Sequence, residues 1–124
     1  TQLYSFAHVD GKRSTNKHVY ILTSKNTFSA AEAFTYTMKH LNNATVVGEI
    51  TKGGANRTKR INLNDNFTIS VPYIKSIHPI TKTNWEGKGV QPLIKTSEKD
   101  ANVVAAIDFT FFEFILSIFA SISS

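Results

Sequence analysis

Between residues 18 and 48 the apolar positions form two unbroken runs separated by a stretch of helical period. Val19-Tyr20-Ile21-Leu22, closed by Thr23-Ser24, has no polar interruption, the pattern of a strand buried on both faces. From Ser29 to Leu41, Ala30, Phe34, Met38 and Leu41 recur at helical spacing and predict a helix with one apolar stripe. Lys39 and His40 complement the helix dipole in the last turn, and Asn42-Asn43 supply the stop. Ala44-Thr45-Val46-Val47-Gly48 predicts a second buried strand. A strand, a helix and a strand of these lengths predict a βαβ unit with a right-handed crossover.

Further along, the period drops to two. Ile61 and Leu63, then Phe67, Ile69, Val71 and Tyr73, alternate with polar residues around Asn64-Asp65-Asn66, which predicts a hairpin with one wet face. A polar loop from about Ile74 to Pro92 holds the sole tryptophan, Trp85. A loop of that length is expected to be functional or ordered by specific packing. Ser97 as cap, with Glu98 and Asp100 in the first turn, predicts a helix from Ser97 to about Asp108. Residues 1–17 form a weakly periodic lead-in, and residues 109–124 an atypical apolar tail. Its segment from Phe114 to Ala120 is far short of the roughly 20 residues that span a bilayer.

Composition changes this picture little. With 124 residues, 41% hydrophobic and 19% charged, the chain suits one globular domain and is too short for two. It opens on Thr1 with no leader pattern, and its first clear element starts near His18, so it reads as a piece of a longer polypeptide. There is no cysteine, which removes disulfides and thiolate metal sites. The net charge of +5 is scattered, and the densest basic group (Lys52, Arg57, Lys59, Arg60) lacks the interleaved aromatics of a base-stacking platform. Nucleic acid is therefore not an expected partner. The isolated histidines and the absence of an Asp-rich loop predict no metal site.

Candidate chemistry starts at Asn26-Thr27-Phe28-Ser29-Ala30-Ala31-Glu32. Ser29 to Glu32 fits a capping box, in which the serine hydroxyl and the glutamate each satisfy a backbone N–H at a helix start. The same geometry serves a nucleophile. A serine at a strand-to-helix turn exposes its hydroxyl, and the following N–H groups, with the positive end of the helix behind them, can hold an oxyanion. The G-x-S-x-G pattern of the nucleophile elbow is absent, while small Ala30 and Ala31 leave room for a substrate carbonyl.

Further segments join this one in a fixed order. Val19-Tyr20-Ile21-Leu22-Thr23 precedes it. Val46-Val47-Gly48-Glu49-Ile50-Thr51-Lys52-Gly53-Gly54-Ala55-Asn56, then Val71-Pro72, then Asn84-Trp85-Glu86-Gly87-Lys88-Gly89-Val90-Gln91-Pro92 follow. Together they resemble the catalytic core of the tail-specific (C-terminal-processing) serine proteases. The likeness is to the branch that includes tricorn core protease and interphotoreceptor retinoid-binding protein. It covers about residues 18–100, the C-terminal part of that catalytic domain, and rests on the order of the segments rather than on any one of them.

The resemblance implies an α/β fold with a crotonase-like (ClpP/crotonase-type) core: a βαβ unit, a β-hairpin and a C-terminal helix, as a fragment of a larger domain. It implies that Ser29 is the nucleophile, that the Ala30 N–H is an oxyanion donor, and that Gly53 and Gly54 line the cleft. In the processing branch a lysine on the Gly-rich loop serves the serine. The matching position here is Gly54, and Lys52 is displaced from it, so Lys52 is read as solvated. The tricorn-like branch implies instead a histidine base held in a hydrogen-bonded chain with a glutamate, which Glu86 matches. None of His8, His18, His40 and His78 fits that base, which is expected outside this chain. The implied reaction is peptide hydrolysis through an acyl-enzyme on a peptide or protein substrate, without cofactor or metal, in a protein whose family favours an extracytoplasmic address. The fragment alone is expected to be inactive. The alternative is a non-catalytic ligand-binding module of the same fold, as in the retinoid-binding relatives. Two features depart from the family: Leu93 replaces an acidic residue after Val-x-Pro, and the tail turns from Ala and Leu to Phe and Ser.

Overall fold

A computed structural model describes residues 10–11 and 17–109. The expectations for the lead-in 1–17 and the tail 109–124 fall almost entirely outside the described residues. Strand β1 (Tyr20–Thr23), helix α1 (Ala30–His40) and strand β2 (Thr45–Gly48) follow one another, and β1 and β2 pair in parallel with Tyr20 against Thr45 and Thr23 against Gly48. The βαβ unit expected from the sequence is therefore present. Strands β3 (Arg57–Asn62) and β4 (Thr68–Ile74) form an antiparallel hairpin, and β5 (Ile94–Lys95) adds to β2 in parallel, giving the order β1-β2-β5. Residues 101–109 form a second helix, α2.

β2 is the centre of the small sheet, and its Val46 and Val47 are buried. Side chains alternate across a strand, so these two valines serve opposite faces. Val47 packs against Ala101 and Ala105 of α2, with Tyr20, Ile94 and Val104 around them. Tyr20 adds a polar tie, its hydroxyl donating to Asp108 at 2.8 Å. Burial, then that bond and the Asp108 charge, push the phenol up to about 12.

Several expectations change on inspection. β1 is an edge among the described residues, so Leu22 is exposed and the strand is not buried on both faces. The apolar stripe expected for α1 faces outward, with Phe34 57% and Leu41 46% exposed, whereas Glu32, Thr35 and Tyr36 are buried. A second core beneath α1 explains the reversal. It comprises Tyr36, Ala55, Trp85 and Val90, so the loop carrying Trp85 is ordered by packing. Tyr36 and Trp85 lie 5.1 Å apart between ring centroids, and the Tyr36 hydroxyl is 2.6 Å from the Thr83 hydroxyl.

The hairpin also departs from expectation, because every residue of β3 and β4 is exposed and neither face is covered. Ile61 lies across from Ile69 and Lys59 across from Val71, which gathers the isoleucines and Val71 on one face. The turn is as the sequence indicates: Asn64 Oδ1 accepts the N–H groups of Asn66 and Phe67 at 2.9 and 3.0 Å. α2 begins three residues later than expected. Ser97 still shapes its entry, through a hydroxyl bond to Asp100 at 2.7 Å.

Candidate active site

The C-terminal ends of parallel strands are where α/β sheets commonly bind ligands, because the loops leaving neighbouring strands face one another there. The loop from β1 carries Ser29, and the loop from β2 carries Gly53 and Gly54. The two loops are tied directly, Lys52 N–H donating to the Thr27 carbonyl at 3.0 Å. Within the first loop, Thr27 N–H donates to Ser24 O at 2.9 Å and Ser24 N–H to Thr27 Oγ1 at 3.0 Å, forming a tight turn before the serine.

Ser29 is exposed, with φ 56° and ψ −113°. Positive φ is uncommon for a residue with a Cβ, and this ψ lies outside the left-handed helical well as well. Backbone held so costs on the order of 1–3 kcal/mol and persists only where its surroundings enforce it. A sharp strand-to-helix turn with a strained serine at its tip is the geometry that presents a nucleophile. Both halves of the capping box are in place around it. Glu32 accepts the Ser29 N–H at 2.8 Å, and the Ser29 hydroxyl stands against the Glu32 N–H without closing a full cap hydrogen bond. The neighbouring Ala30 N–H has no acceptor among the described residues, as an oxyanion donor requires.

Glu32 is the feature that sequence reading undervalued. Its side chain is fully buried, yet among the described residues it has no cationic partner. Oε1 accepts from Thr51 Oγ1 at 2.5 Å and Gly53 N at 2.6 Å, while Oε2 accepts from Ser29 N at 2.8 Å and Gly54 N at 2.9 Å. Burial alone would raise its pKa. The bonds from Thr51, Gly54, Gly53 and Ser29 outweigh that and hold the carboxyl below its ordinary value. The sequence shows Glu32 only as a capping-box partner. The available signal was its place on one helix face with Thr35 and Tyr36, which hydrophobicity ranks below the Phe34 face.

Glu86 does parallel work on the next two residues. Its Oε2 accepts the N–H groups of Ala55 and Asn56 at 2.6 and 2.8 Å. Four successive backbone N–H groups, Gly53 to Asn56, thus end on two carboxylates. Glu86 Oε1 carries no hydrogen bond among the described residues and belongs to an exposed residue. Glu86 also lines a shallow depression with Lys75, Lys82 and Lys88, in whose wall Ser29 takes no part. The structure therefore links Glu86 to the Gly-rich loop, and Ser29 to the same loop through Glu32.

The glycines earn their place through close approach inside the chain. A Cβ on Gly53 (φ 92°) would lie 3.0–3.2 Å from the backbone of Gly87–Gly89, and one on Gly54 would collide with the Phe28 ring. The two loop segments are laced together here: Gly87 N–H donates to Gly53 O at 2.8 Å, and Val90 N–H to Thr51 Oγ1 at 2.7 Å. The Lys52 ammonium sits 5.3 Å from the Phe28 ring centroid and is exposed, in keeping with a solvated lysine.

His8 lies outside the described residues, and the three described histidines lie away from these bonds. His40 Nδ1 donates to the Tyr36 carbonyl of its own helix at 2.8 Å, and the ring lies 4.1 Å from the Tyr36 ring. His78 is buried 5.2 Å from the His40 ring, and burial, then the His40 charge, lower its pKa. His18 lies 3.0 Å from Thr45 Oγ1. No group of three or more metal-ligating side chains exists among the described residues.

A family model for peptidase family S41 matches residues 2–96. Among solved structures, mature CPAF is similar, with a TM-score of 0.57 and 23% sequence identity over 68% of this chain. The chain spans 17% of the length of that structure's chain.

Proposed function

The chain belongs to peptidase family S41, and from that premise we propose that it carries the nucleophile of a serine peptidase, Ser29. The observation that supports this most is the conformation of Ser29: exposed, with φ 56°, at a helix start beside the ends of two parallel strands. A capping serine needs only an ordinary extended backbone, so capping alone gives no reason for the strain.

In the proposed reaction Ser29 Oγ attacks the scissile carbonyl of a peptide or protein substrate. The C–N bond breaks as the tetrahedral intermediate collapses, the amine leaves with a proton from the base, and water then releases the acyl group. The Ala30 N–H would stabilise the oxyanion. The general base is assigned to polypeptide outside this chain, and Glu86 would orient it through Oε1 while Oε2 holds Ala55 and Asn56. Gly53 and Gly54 would line the cleft, and the wider core would be crotonase-like. No cofactor or metal enters, and an extracytoplasmic address rests on the family resemblance.

A fluorophosphonate probe provides the test, applied to the natural polypeptide that contains this chain. Labelling at Ser29, lost in Ser29→Gly and absent from the 124-residue chain alone, is the expected result. Glycine is chosen because it accepts φ 56° without strain. An unlabelled Ser29 in the whole polypeptide would overturn the proposal in favour of a non-catalytic ligand-binding module. Strong labelling of the short chain would place the base within it, with Lys52 the first residue to replace.

A further inference from the structure

The geometry points to Glu32 as a positioning residue that, as a buried carboxylate, sets the nucleophile turn and the Gly53–Gly54 turn in one fixed relation. The inference rests on the reading of Ser29 as a nucleophile and assigns a function to a residue that touches no substrate in that reading.

One side chain reaches each part of the site. Glu32 accepts the N–H of Ser29, whose conformation is strained, and the N–H groups of Gly53 and Gly54 on the facing loop. It also accepts the hydroxyl of Thr51, which in turn receives the Val90 N–H from the segment that carries Glu86. Moving Glu32 would therefore shift the serine, the glycine turn and the Glu86 segment relative to one another. No other side chain among the described hydrogen bonds contacts both the serine and the glycine turn, and the Glu86 segment is reached from Glu32 through Thr51.

The chemistry of the donor set requires an ionised carboxylate. Each oxygen takes two donors, and all four partners are donors in these bonds. A carboxamide would replace one oxygen with an NH₂ group, setting donors against donors. Glu86 differs here, because a single oxygen takes both of its loop bonds. A glutamine carbonyl can substitute for that oxygen. The two carboxylates look alike in sequence and tolerate amide replacement differently.

The first measurement is amide hydrogen exchange on the whole polypeptide, which depends on no activity. In Glu32→Gln, exchange at Ser29, Gly53 and Gly54 should speed up by about tenfold or more, with the β2 amides of Val46 and Val47 unchanged. In Glu86→Gln, Ala55 and Asn56 should stay within about threefold of wild type. Uniform acceleration through β2 would make Glu32 a residue of the general core and overturn the inference. Unchanged exchange at all three amides would do the same.

The second measurement is the rate of phosphonate labelling of Ser29 in the whole polypeptide, resolved into a limiting rate and a half-saturating concentration. Thr51→Val, which keeps the volume but removes one donor to Glu32 and the acceptor of the Val90 N–H, supplies a second variant beside Glu32→Gln. It should lower the limiting rate by about 10–100-fold and shift half-saturation by less than about threefold, and Thr51→Ser should restore the rate. A wild-type polypeptide that is not labelled at all defeats the peptidase reading. A labelled wild type whose rate is unmoved by Thr51→Val and Glu32→Gln defeats only the positioning role.

Discussion

Residues 49–56 and residues 57–74 are neighbours in the chain and opposites in how they are held. The first segment has almost no apolar side chain to bury, and its backbone N–H groups end on two carboxylates, on the loop that contains Trp85, and on carbonyls of β1 and the loop that follows it. The second has six strongly apolar residues at strand period, Ile61, Leu63, Phe67, Ile69, Val71 and Tyr73, all exposed. A two-stranded hairpin with an uncovered apolar face is marginal in water by itself. The site loop is thus fixed by directional bonds to groups outside it, and the hairpin, among the described residues, by its own cross-strand ladder and turn. Hydrogen bonds to a buried charge specify position, whereas exposed apolar area specifies only that something of matching character be near.

The sharpest way to divide the site from the hairpin is Glu86→Gln in the whole polypeptide. The carbonyl of glutamine keeps the Ala55 and Asn56 bonds, so what disappears is the charge proposed to orient the base. The expected effect is a fall in kcat of about 10- to 10⁴-fold with KM nearly constant. A large rise in KM with kcat preserved would show Glu86 to act only through the loop. Next in size is Trp85→Ala, which empties the core beneath the site and should cost about 3–5 kcal/mol in chemical denaturation. If the loss is instead below about 1 kcal/mol, the loop is not held by this packing.

Acidification tests the charges on the site side of the molecule, His78 beneath α1 and Glu32 under the glycine turn. His78 has a lowered native pKa, so the unfolded chain binds the proton first, and stability declines as pH falls below the ordinary value of 6.5. Glu32 is lowered too, so its contribution is complete above the ordinary value of 4.5 and is lost as pH falls through the native value. Denaturation curves between pH 8 and 3 should show both stages, with the lower one absent from Glu32→Gln. A lower stage that survives in that variant would assign it elsewhere. The smallest effect is expected in the hairpin. Ile61→Thr and Ile69→Thr should each change the stability of this chain by less than about 0.5 kcal/mol. A loss of 2 kcal/mol or more, on the scale of a buried side chain, would mean that the face is covered in solution.

Much of the frame was legible because it is local. The Val19–Leu22 run, the helix after Ser29 and the Thr45–Gly48 run appear where period and turn residues placed them, and Asn64 makes the turn it suggested. Which face of α1 is buried was not legible. Phe34 and Leu41 outrank Glu32, Thr35 and Tyr36 in hydrophobicity, but the space beneath the helix is shaped by Trp85 and by a glycine loop whose amides require an acceptor. β5 was missed because two residues carry no period. Ser29 stood out as a candidate through its setting in ordered segments, while its φ is a property of the assembled loops. The roles of Glu32 and Thr51 depend on bonds between residues 19 to 22 positions apart, which no local pattern encodes.

That separation bears on the order of events during folding. A contact spanning about twenty residues forms only after the closure entropy of the intervening chain has been met, whereas α1 and the Asn64 turn close over three or four residues. The Glu32 bonds need β1, α1 and β2 already docked, so the strained serine acquires its final shape after the secondary structure that carries it. Glu32→Gln is accordingly expected to hasten unfolding and leave the refolding rate within about twofold, as stopped-flow kinetics would measure. A refolding rate that drops in proportion to the lost stability would put the clamp in the nucleus instead. With the clamp formed late, the chain would assemble its scaffold first, and the geometry of the proposed nucleophile would be the last property it gains.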